Sequence, residues 1–361
     1  MARRRTLTSV WAKSWQRSVS SLTSKVVKQA LRAGHKALAA PKAEAVKKRK
    51  KAAAKSARPP DVWLAGVAVG AAGARAYKLY RPPGLRLGER RPLLVMLHGC
   101  AQTAAGFAAS TRMNWLAARE RFWVLYPEQD RLANPQGCWQ WFEVNSGRAE
   151  GEIALLLRVI DQVCQLYPVD AGRIAVAGLS AGASMAALLA LKAPERFKAV
   201  IMHSGLAPGL ARSKGTALAA MQGRRVAAPL AGHDLPPLMV IQGGADPLVA
   251  PSNGAAAARL WAAASAAVAS APRTVQRCQR YPMTVTDFKL GRRVQVSQID
   301  IARLGHAWSG GAAGEPFSDP LGPDAARLVW AFAARQCGIE QTVLTGAPNV
   351  GALNRRVKAK P

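Results

Sequence analysis

The most informative segment of this chain is Gly178-Leu179-Ser180-Ala181-Gly182. It follows an apolar, β-prone run at residues 173–177 and precedes a run of Ala, Leu and Met at residues 183–192 that favours a helix. A strand, a sharp glycine-flanked turn and a helix together present a serine hydroxyl at the edge of a sheet, next to a positive helix N-terminus. These five residues alone also fit a tight turn with a helix N-cap serine, so the role of Ser180 must be judged from the rest of the chain.

From about residue 70 onward, predicted strands alternate with predicted helices. The strands are predicted over residues 75–80, 93–97, 123–126, 173–177, 197–202, 238–242, 275–288 and 294–301. The helices are predicted over residues 113–120, 152–166, 183–192, 255–269 and 323–335. Such alternation favours an α/β fold with a mainly parallel central sheet and helices on both faces.

A nucleophilic serine needs a histidine base. His306 lies late in the chain, in a glycine-rich loop that follows the predicted strand at residues 294–301. His98 and His203 also follow strands, where they shape the cleft or satisfy backbone groups. The other two histidines are His35, in the N-terminal region, and His233, in a loop rich in Pro and Gly. The sequence therefore favours His306 as the base.

The base in turn needs an acid that fixes its tautomer. Asp246 comes in a loop directly after the predicted strand at residues 238–242. The rival acids lie within a strand, at its end, or at the wrong end of the sheet: Asp287, Asp300 and Asp234. The order Ser180, Asp246, His306 is that of the α/β-hydrolase fold, which we predict for this chain.

Two backbone amides must bind the negative oxygen that forms when an ester is attacked. The residue after the nucleophile, Ala181, supplies one of them. The second comes from the loop after the strand that ends at residue 97, and Cys100 or its neighbour Ala101 is the candidate.

The net charge of +31 is unevenly distributed along the 361 residues. Residues 1–60 contain 17 Lys or Arg and one acid, Glu44, and so carry +16 of the total. Apolar residues including Trp11 and Trp15 recur there at helical spacing, which predicts a basic amphipathic helix suited to a granule or an anionic surface. A disordered basic extension without a dedicated partner is the alternative.

We therefore divide the chain into a basic extension at residues 1–60, a catalytic domain at residues 61–338 and an irregular basic tail at residues 339–361. No run of about 18 apolar residues predicts a membrane-spanning helix. No ordinary signal peptide is recognised, which favours a cytoplasmic or granule-associated protein. Five cysteines without a C-x-x-C pair give no support for a zinc site, and no metal or other cofactor is expected.

Five motifs together resemble the polyhydroxybutyrate (PHB) depolymerase-type esterases. They are residues 97–103 (LHGCAQT), 126–129 (YPEQ), 138–142 (CWQWF), 178–182 (GLSAG) and 305–311 (GHAWSGG). The resemblance covers about residues 75–335 and implies a serine carboxylesterase acting on short-chain polyhydroxyalkanoates. It also implies a disulfide between Cys100 and Cys138, and a secreted location, in contrast to the missing signal peptide. Feruloyl and acetylxylan esterases are similar to this family.

The loops around the predicted triad carry three tryptophans that are candidates for packing against an acyl chain: Trp139, Trp141 and Trp308. Packing within the core or under a lid is the alternative role for them. Two further functions remain open at this stage. One is an esterase for soluble or plant-derived small esters, and the other is a basic protein that binds granules, membranes or nucleic acid, although no dedicated nucleic-acid motif occurs.

Overall fold

The computed structural model describes residues 62–230 and 234–339. The predicted basic extension at residues 1–60, nearly all of the C-terminal tail and His233 lie outside the described residues. The predicted catalytic domain, in contrast, falls almost entirely within them.

A sheet of eleven strands forms the centre of the fold. In chain order they are β1 Val62–Gly70, β2 Gly73–Arg81, β3 Arg91–Leu97, β4 Trp123–Pro127, β5 Val169–Leu179, β6 Ala199–His203, β7 Leu238–Gly243, β8 Val268–Ala269, β9 Arg273–Val275, β10 Met283–Leu290 and β11 Arg293–Ile301. Across the sheet they lie in the order β1-β2-β4-β3-β5-β6-β7-β11-β10-β8, with β9 also paired to β10. Pairing is parallel from β4 to β11 and antiparallel towards both edges.

Helices cover both faces of this sheet. They are α1 Ala104–Thr111, α2 Met113–Glu120, α3 Arg148–Leu166, α4 Ala181–Lys192, α5 Lys214–Met221, α6 Ser252–Ala264 and α7 Ala325–Gln336. One core layer contains buried residues of α3, α4 and α6, and the other contains those of α1, α2 and α7. Leu93, Val95 and Leu97 of β3 enter the first layer, while Leu94 and Met96 enter the second. The prediction of an α/β-hydrolase fold is confirmed.

The elements differ from the predicted ones where local sequence gives a weak or misleading signal. The helix predicted over 255–269 ends at Ala264, and Ala266 takes a left-handed φ of 51° before the chain enters β8. The strand predicted over 275–288 is divided into β9 and β10 by an intervening loop. Helix α1 and strand β1 were not predicted. Among the helices of the described ranges, none combines the length and apolar character needed to cross a bilayer.

The turn between β5 and α4 is closely packed at two glycines. A Cβ on Gly178 would overlap the backbone of Gly182, and a Cβ on Gly182 would overlap the carbonyl groups of Leu97 and His98. The start of α4 therefore lies directly against the end of β3. Glycine at both positions is a packing requirement of this turn, because backbone atoms cannot move aside as a flexible side chain does.

We expect Gly182→Ala to lower the free energy of unfolding by about 1–3 kcal/mol, since the added methyl overlaps backbone carbonyl groups. Gly151→Ala in α3 is the matched control, because its Cβ meets only the Cβ of Ala72 at 3.5 Å. The control should be neutral or stabilise by up to about 1 kcal/mol. Urea unfolding monitored by tryptophan fluorescence measures both, and equal stability of the two variants would contradict the packing described here.

Candidate active site

Ser180 occupies the turn between β5 and α4 in a backbone conformation that is rare for a residue with a side chain. Its φ is 57° and its ψ is −120°. The turn is held by a hydrogen bond from the Ser180 amide to the carbonyl oxygen of His203, at 2.9 Å. Such strain costs on the order of 1–3 kcal/mol and persists where surrounding contacts enforce it. The side chain remains partly exposed at the carboxyl edge of the sheet.

Asp246 and His306, predicted from separate loops, are hydrogen-bonded to each other. The Nδ1 of His306 lies 2.8 Å from Oδ2 of Asp246. The other carboxylate oxygen accepts the amides of Leu248 and Val249, each at 2.9 Å. These contacts orient the carboxylate and fix the histidine tautomer, since Nδ1 must carry the proton that it donates and Nε2 is then the basic nitrogen.

The electrostatics of this pair favour an ionised carboxylate. Burial alone raises the pKa of Asp246, but the hydrogen bond and charge of His306 and the amides of Val249 and Leu248 outweigh it. The pKa of Asp246 therefore lies below its usual range, and the carboxylate is charged at neutral pH.

The loops that contain Asp246 and His306 are packed backbone against backbone. The amides of Gly244 and Ala245 donate to the carbonyl groups of Ile301 and Leu304, at 2.8 and 3.0 Å. A Cβ on Gly243 would overlap the carbonyl oxygens of Leu304 and Gly305, so this approach also requires glycine. The parallel pairing of β7 with β11 brings both loops to the same edge of the sheet as Ser180.

The structure distinguishes between the two candidate amides of the loop after β3. The Ala101 amide donates to the carbonyl oxygen of Gln136 at 2.8 Å and is therefore occupied. The Cys100 amide has no hydrogen-bond acceptor within the ranges that the structure describes. Ala181 is the first residue of α4, where a helix amide has no intrahelical acceptor. Cys100 and Ala181 therefore each present an unpaired amide beside this turn.

A disulfide joins Cys100 to Cys138 and links the loop after β3 to the segment that contains Trp139. The indole nitrogen of Trp139 donates to the carbonyl oxygen of His98 at 2.9 Å. The side-chain amide of Gln129 donates to the carbonyl oxygen of Cys138, also at 2.9 Å. The loop that contains the Cys100 amide is therefore held by one covalent bond and several hydrogen bonds.

A buried polar network behind this loop was not predicted from the sequence. Gln129 accepts from Arg75 and donates to Glu152, whose second oxygen accepts the amide of Gln140 at 2.8 Å. Burial raises the pKa of Glu152, although its hydrogen bonds and the Arg75 charge oppose the shift. The motif at residues 126–129 contains one signal for this network, a glutamine two residues after the end of the buried strand β4.

Substrate contact and packing within the protein are the two roles expected for the three tryptophans, and their burial supports packing. Trp139 and Trp308 are 0% and 1% exposed, and Trp141 is 7% exposed. Trp139 packs on the ring of His98, while Trp308 contacts the rings of His203 and Phe107. Side chains that are already surrounded in this way offer no accessible face to an acyl chain.

Two further predictions concern metal binding and the histidines His98 and His203. No group of three or more His, Cys, Asp or Glu residues there is arranged to hold a metal ion. His98 and His203 are buried neutral rings that each accept a remote backbone amide. The Nε2 of His98 accepts from Gln129 at 3.1 Å, and that of His203 accepts from Ser309 at 3.2 Å. Burial lowers the pKa of His98 to about 4 and that of His203 to about 3.

Comparison with known proteins places this arrangement in a family. The family model described as Esterase PHB depolymerase matches residues 75–269, which is more than half of the chain and includes Ser180 and Asp246. The chain belongs to the PHB depolymerase esterase family. The curated relatives that the chain matches are named as polyester depolymerases, a feruloyl esterase and acetylxylan esterases. The resemblance seen in the five sequence motifs is thereby confirmed.

Individual relatives extend this result. The chain is 33% identical over 177 residues to poly(3-hydroxyalkanoate) depolymerase C of Paucimonas lemoignei, covering 45% of this chain and 42% of that protein. It is 30% identical over 122 residues to feruloyl esterase B of Neurospora crassa, covering 34% and 41%. The matched parts thus span less than half the length of both relatives. The acetyl xylan esterase from Aspergillus awamori has a similar fold, with a TM-score of 0.54 at 20% identity, covering 67% of this chain and 94% of that one.

The neutral state of His98 predicts a defined loss of stability in acid. The unfolded residue takes up a proton below about pH 6.5 and the folded one only below about pH 4, so the unfolded state binds more protons in this window. The free energy of unfolding should therefore fall as the pH drops, by about 2 kcal/mol at pH 5 from His98 alone.

Urea unfolding at pH 7 and pH 5 measures this loss in the parent and in His98→Gln. The variant lacks the titrating ring, so its free energy of unfolding should depend less on pH by about the same 2 kcal/mol. If both proteins lose the same stability between the two pH values, the neutral buried state of His98 is wrong.

Proposed function

We propose that this chain is a serine carboxylesterase that hydrolyses short-chain polyhydroxyalkanoate polyesters or their oligomers. Ser180 acts as the nucleophile, His306 as the base and Asp246 as the acid that orients it. The observation that carries the proposal is the 2.8 Å hydrogen bond between His306 Nδ1 and Asp246 Oδ2, formed at the sheet edge where Ser180 is held in a strained turn.

The reaction proceeds by acyl transfer in two steps. The Oγ of Ser180 attacks the ester carbonyl carbon while its proton moves to Nε2 of His306. The amides of Ala181 and Cys100 donate to the oxygen that becomes negative, which lowers the barrier by several kcal/mol. The carbon–oxygen bond to the alcohol then breaks, and the departing oxygen takes the proton from His306.

Water completes the cycle on the acyl-enzyme. His306 accepts a proton from the water molecule as its oxygen attacks the acyl carbon, and the same two amides again bind the negative oxygen. Collapse of this intermediate returns the proton to Ser180 Oγ and releases the carboxylic acid. Asp246 remains ionised throughout and stabilises the positive charge that His306 carries in each transition state.

The polyester substrate is supported by the relative from Paucimonas lemoignei, whose name describes a poly(3-hydroxyalkanoate) depolymerase, and by the five motifs. The second candidate substrate is a small soluble ester, favoured by the match to feruloyl esterase B. A parallel assay on amorphous polyhydroxybutyrate, p-nitrophenyl butyrate and methyl ferulate separates them. We expect turnover of the first two, whereas turnover of methyl ferulate without release of acid from the polymer would favour the alternative.

The roles of the triad residues predict a graded loss of activity. Ser180→Ala should lower kcat for p-nitrophenyl butyrate by about 10⁴–10⁶-fold, and Asp246→Asn should lower it by about 10³–10⁴-fold because the histidine loses its oriented tautomer. Asp300→Asn is the matched control, since this rival acid on β11 pairs with Gln298 at 2.7 Å. The control should retain activity within about threefold of the parent, a difference of less than 1 kcal/mol in the barrier.

Circular dichroism and thermal unfolding establish that each variant is folded. The triad assignment is wrong if folded Ser180→Ala retains the parent's kcat, and the choice of acid is wrong if Asp300→Asn loses more activity than Asp246→Asn.

We also propose that residues 1–60 bring the enzyme to the surface of a polyester granule. Their charge of +16 and the helical spacing of Trp11 and Trp15 support an amphipathic, basic surface-binding segment. Deleting residues 1–60 should leave turnover of p-nitrophenyl butyrate unchanged but weaken co-sedimentation with amorphous polyhydroxybutyrate granules, most at low salt. Equal co-sedimentation of the full chain and the deletion variant would exclude this role.

A further inference from the structure

His203 contacts both sides of the proposed catalytic centre. It is the last residue of β6, lies next to β5 in the sheet and is fully buried. Its carbonyl oxygen accepts the amide of Ser180 at 2.9 Å, and its ring accepts the amide of Ser309 at 3.2 Å. Ser309 lies three residues after His306. One residue therefore connects the turn of the nucleophile to the loop of the base.

The ring contact with the base loop consists of stacking and a hydrogen bond. The imidazole of His203 stacks on the indole of Trp308, with a centroid distance of 5.1 Å and an interplanar angle of 26°. Trp308 also packs edge to face on Phe107, with a centroid distance of 5.5 Å. The buried indole thus contacts two rings, and the adjacent Ser309 amide donates to the Nε2 of His203.

The tautomer of His203 follows from its partners. Since Nε2 accepts a hydrogen bond, the ring proton sits on Nδ1, which lies 3.2 Å from Oγ of Ser204. Burial, together with the nearby His306, lowers the pKa of His203 to about 3, while Asp246 opposes the shift. The ring is therefore neutral at neutral pH, where its Nε2 accepts the Ser309 amide.

The backbone after His203 is strained in the same sense as the nucleophile turn. Ser204 has a left-handed φ of 54°, and its amide donates to the carbonyl oxygen of Ile241 at 2.8 Å. Left-handed non-glycine residues are costly and cluster at functional sites. Here Ser180 directly follows β5 and Ser204 directly follows the neighbouring strand β6. The hydrogen bond from the Ser180 amide to the His203 carbonyl oxygen joins these two strand ends.

Other contacts of the base loop run elsewhere. Trp308 and Gly310 donate backbone hydrogen bonds to Phe317 and Asp319, at 2.8 and 2.7 Å. Arg112 donates to the carbonyl oxygen of Gly310 at 2.6 Å. These contacts hold the far end of the loop. The bond to His203 differs from them because its other end is the residue that also binds the Ser180 turn.

We propose that His203 is a positioning residue that sets the separation of Ser180 and His306, through its carbonyl oxygen on one side and its neutral Nε2 on the other. The proposal rests on the nucleophile and base roles proposed above for those two residues. His203 itself touches neither substrate nor reacting atoms. Its effect is expected in kcat, since a displacement of about 1 Å between reacting groups can cost on the order of 10²-fold in rate.

Two substitutions separate the acceptor from the ring. His203→Phe keeps an aromatic ring against Trp308 but removes the acceptor of the Ser309 amide. His203→Gln removes the ring but places an amide oxygen close to the position of Nε2. We expect kcat for p-nitrophenyl butyrate to fall by about tenfold or more in His203→Phe, with KM within about twofold, and to stay within about threefold of the parent in His203→Gln.

A purely structural role would make kcat follow stability instead. Ser297→Ala is the matched control, because it removes a buried 2.8 Å hydrogen bond to Asp287 in the middle of β11, away from the strand end that leads to His306. Thermal unfolding of the three variants gives the stability scale. If kcat ranks with the unfolding temperature across the set, or if His203→Phe turns over as fast as the control, the positioning role is overturned.

A measurement on the parent protein keeps the proposal testable if His203→Phe does not fold. In ¹⁵N-histidine NMR spectra, His203 should show a bare Nε2 and a protonated Nδ1 at every pH between about 6 and 8. A protonated Nε2, or titration within that range, overturns the proposal. This NMR measurement does not depend on ester turnover. Equal activity of the parent and Ser180→Ala would show that the proposed function is wrong, whereas the NMR result tests the assignment of His203 separately.

Discussion

The structure depends on the strained turn at Ser180, which the surrounding backbone must hold in place. The turn is clamped between the end of β3, where Gly182 lies against the Leu97 and His98 carbonyl groups, and the end of β6, whose last carbonyl binds the Ser180 amide. The same two strand ends carry the buried histidines that bind the flanking loops. The contacts that hold the serine in this turn therefore also fix the loops of Cys100 and His306, to which we assign an oxyanion-binding amide and the base in our proposal.

Both buried histidines act as neutral acceptors, which couples the architecture to its electrostatics. A protonated ring at His98 or His203 would lose an acceptor for a buried amide and leave a charge without solvent. Burial prevents this by lowering both pKa values well below neutral. The ionised Asp246 is the opposite case, because its hydrogen bonds outweigh the cost of burial. One edge of the sheet thus holds two neutral histidine rings beside an ionised carboxylate, and the state of each group is set by its burial and its hydrogen-bond partners.

Much of this site was predictable because its signals are local. The turn at residues 178–182, and the loops of Asp246 and His306, each follow a recognisable apolar strand, and parallel strands present their carboxyl ends at one edge. The network of Arg75, Gln129 and Glu152 was not predictable, since it depends on the pairing of β2 with β4, which sequence spacing does not encode. The sequence left two roles open for the tryptophans, because a loop aromatic has the same sequence pattern whether it faces solvent or lies beneath its own loop.

Covalent trapping with a serine-directed reagent shows directly whether the strained turn makes Ser180 the nucleophile of an ester hydrolase. The intact chain is treated with a fluorophosphonate, which reacts with serines activated by a neighbouring base, and the adduct is located by peptide mass spectrometry. We expect one adduct per chain, on Ser180, and none in a chain unfolded beforehand in urea. An adduct on another residue, or no adduct on the folded chain, would show that Ser180 is not the activated nucleophile.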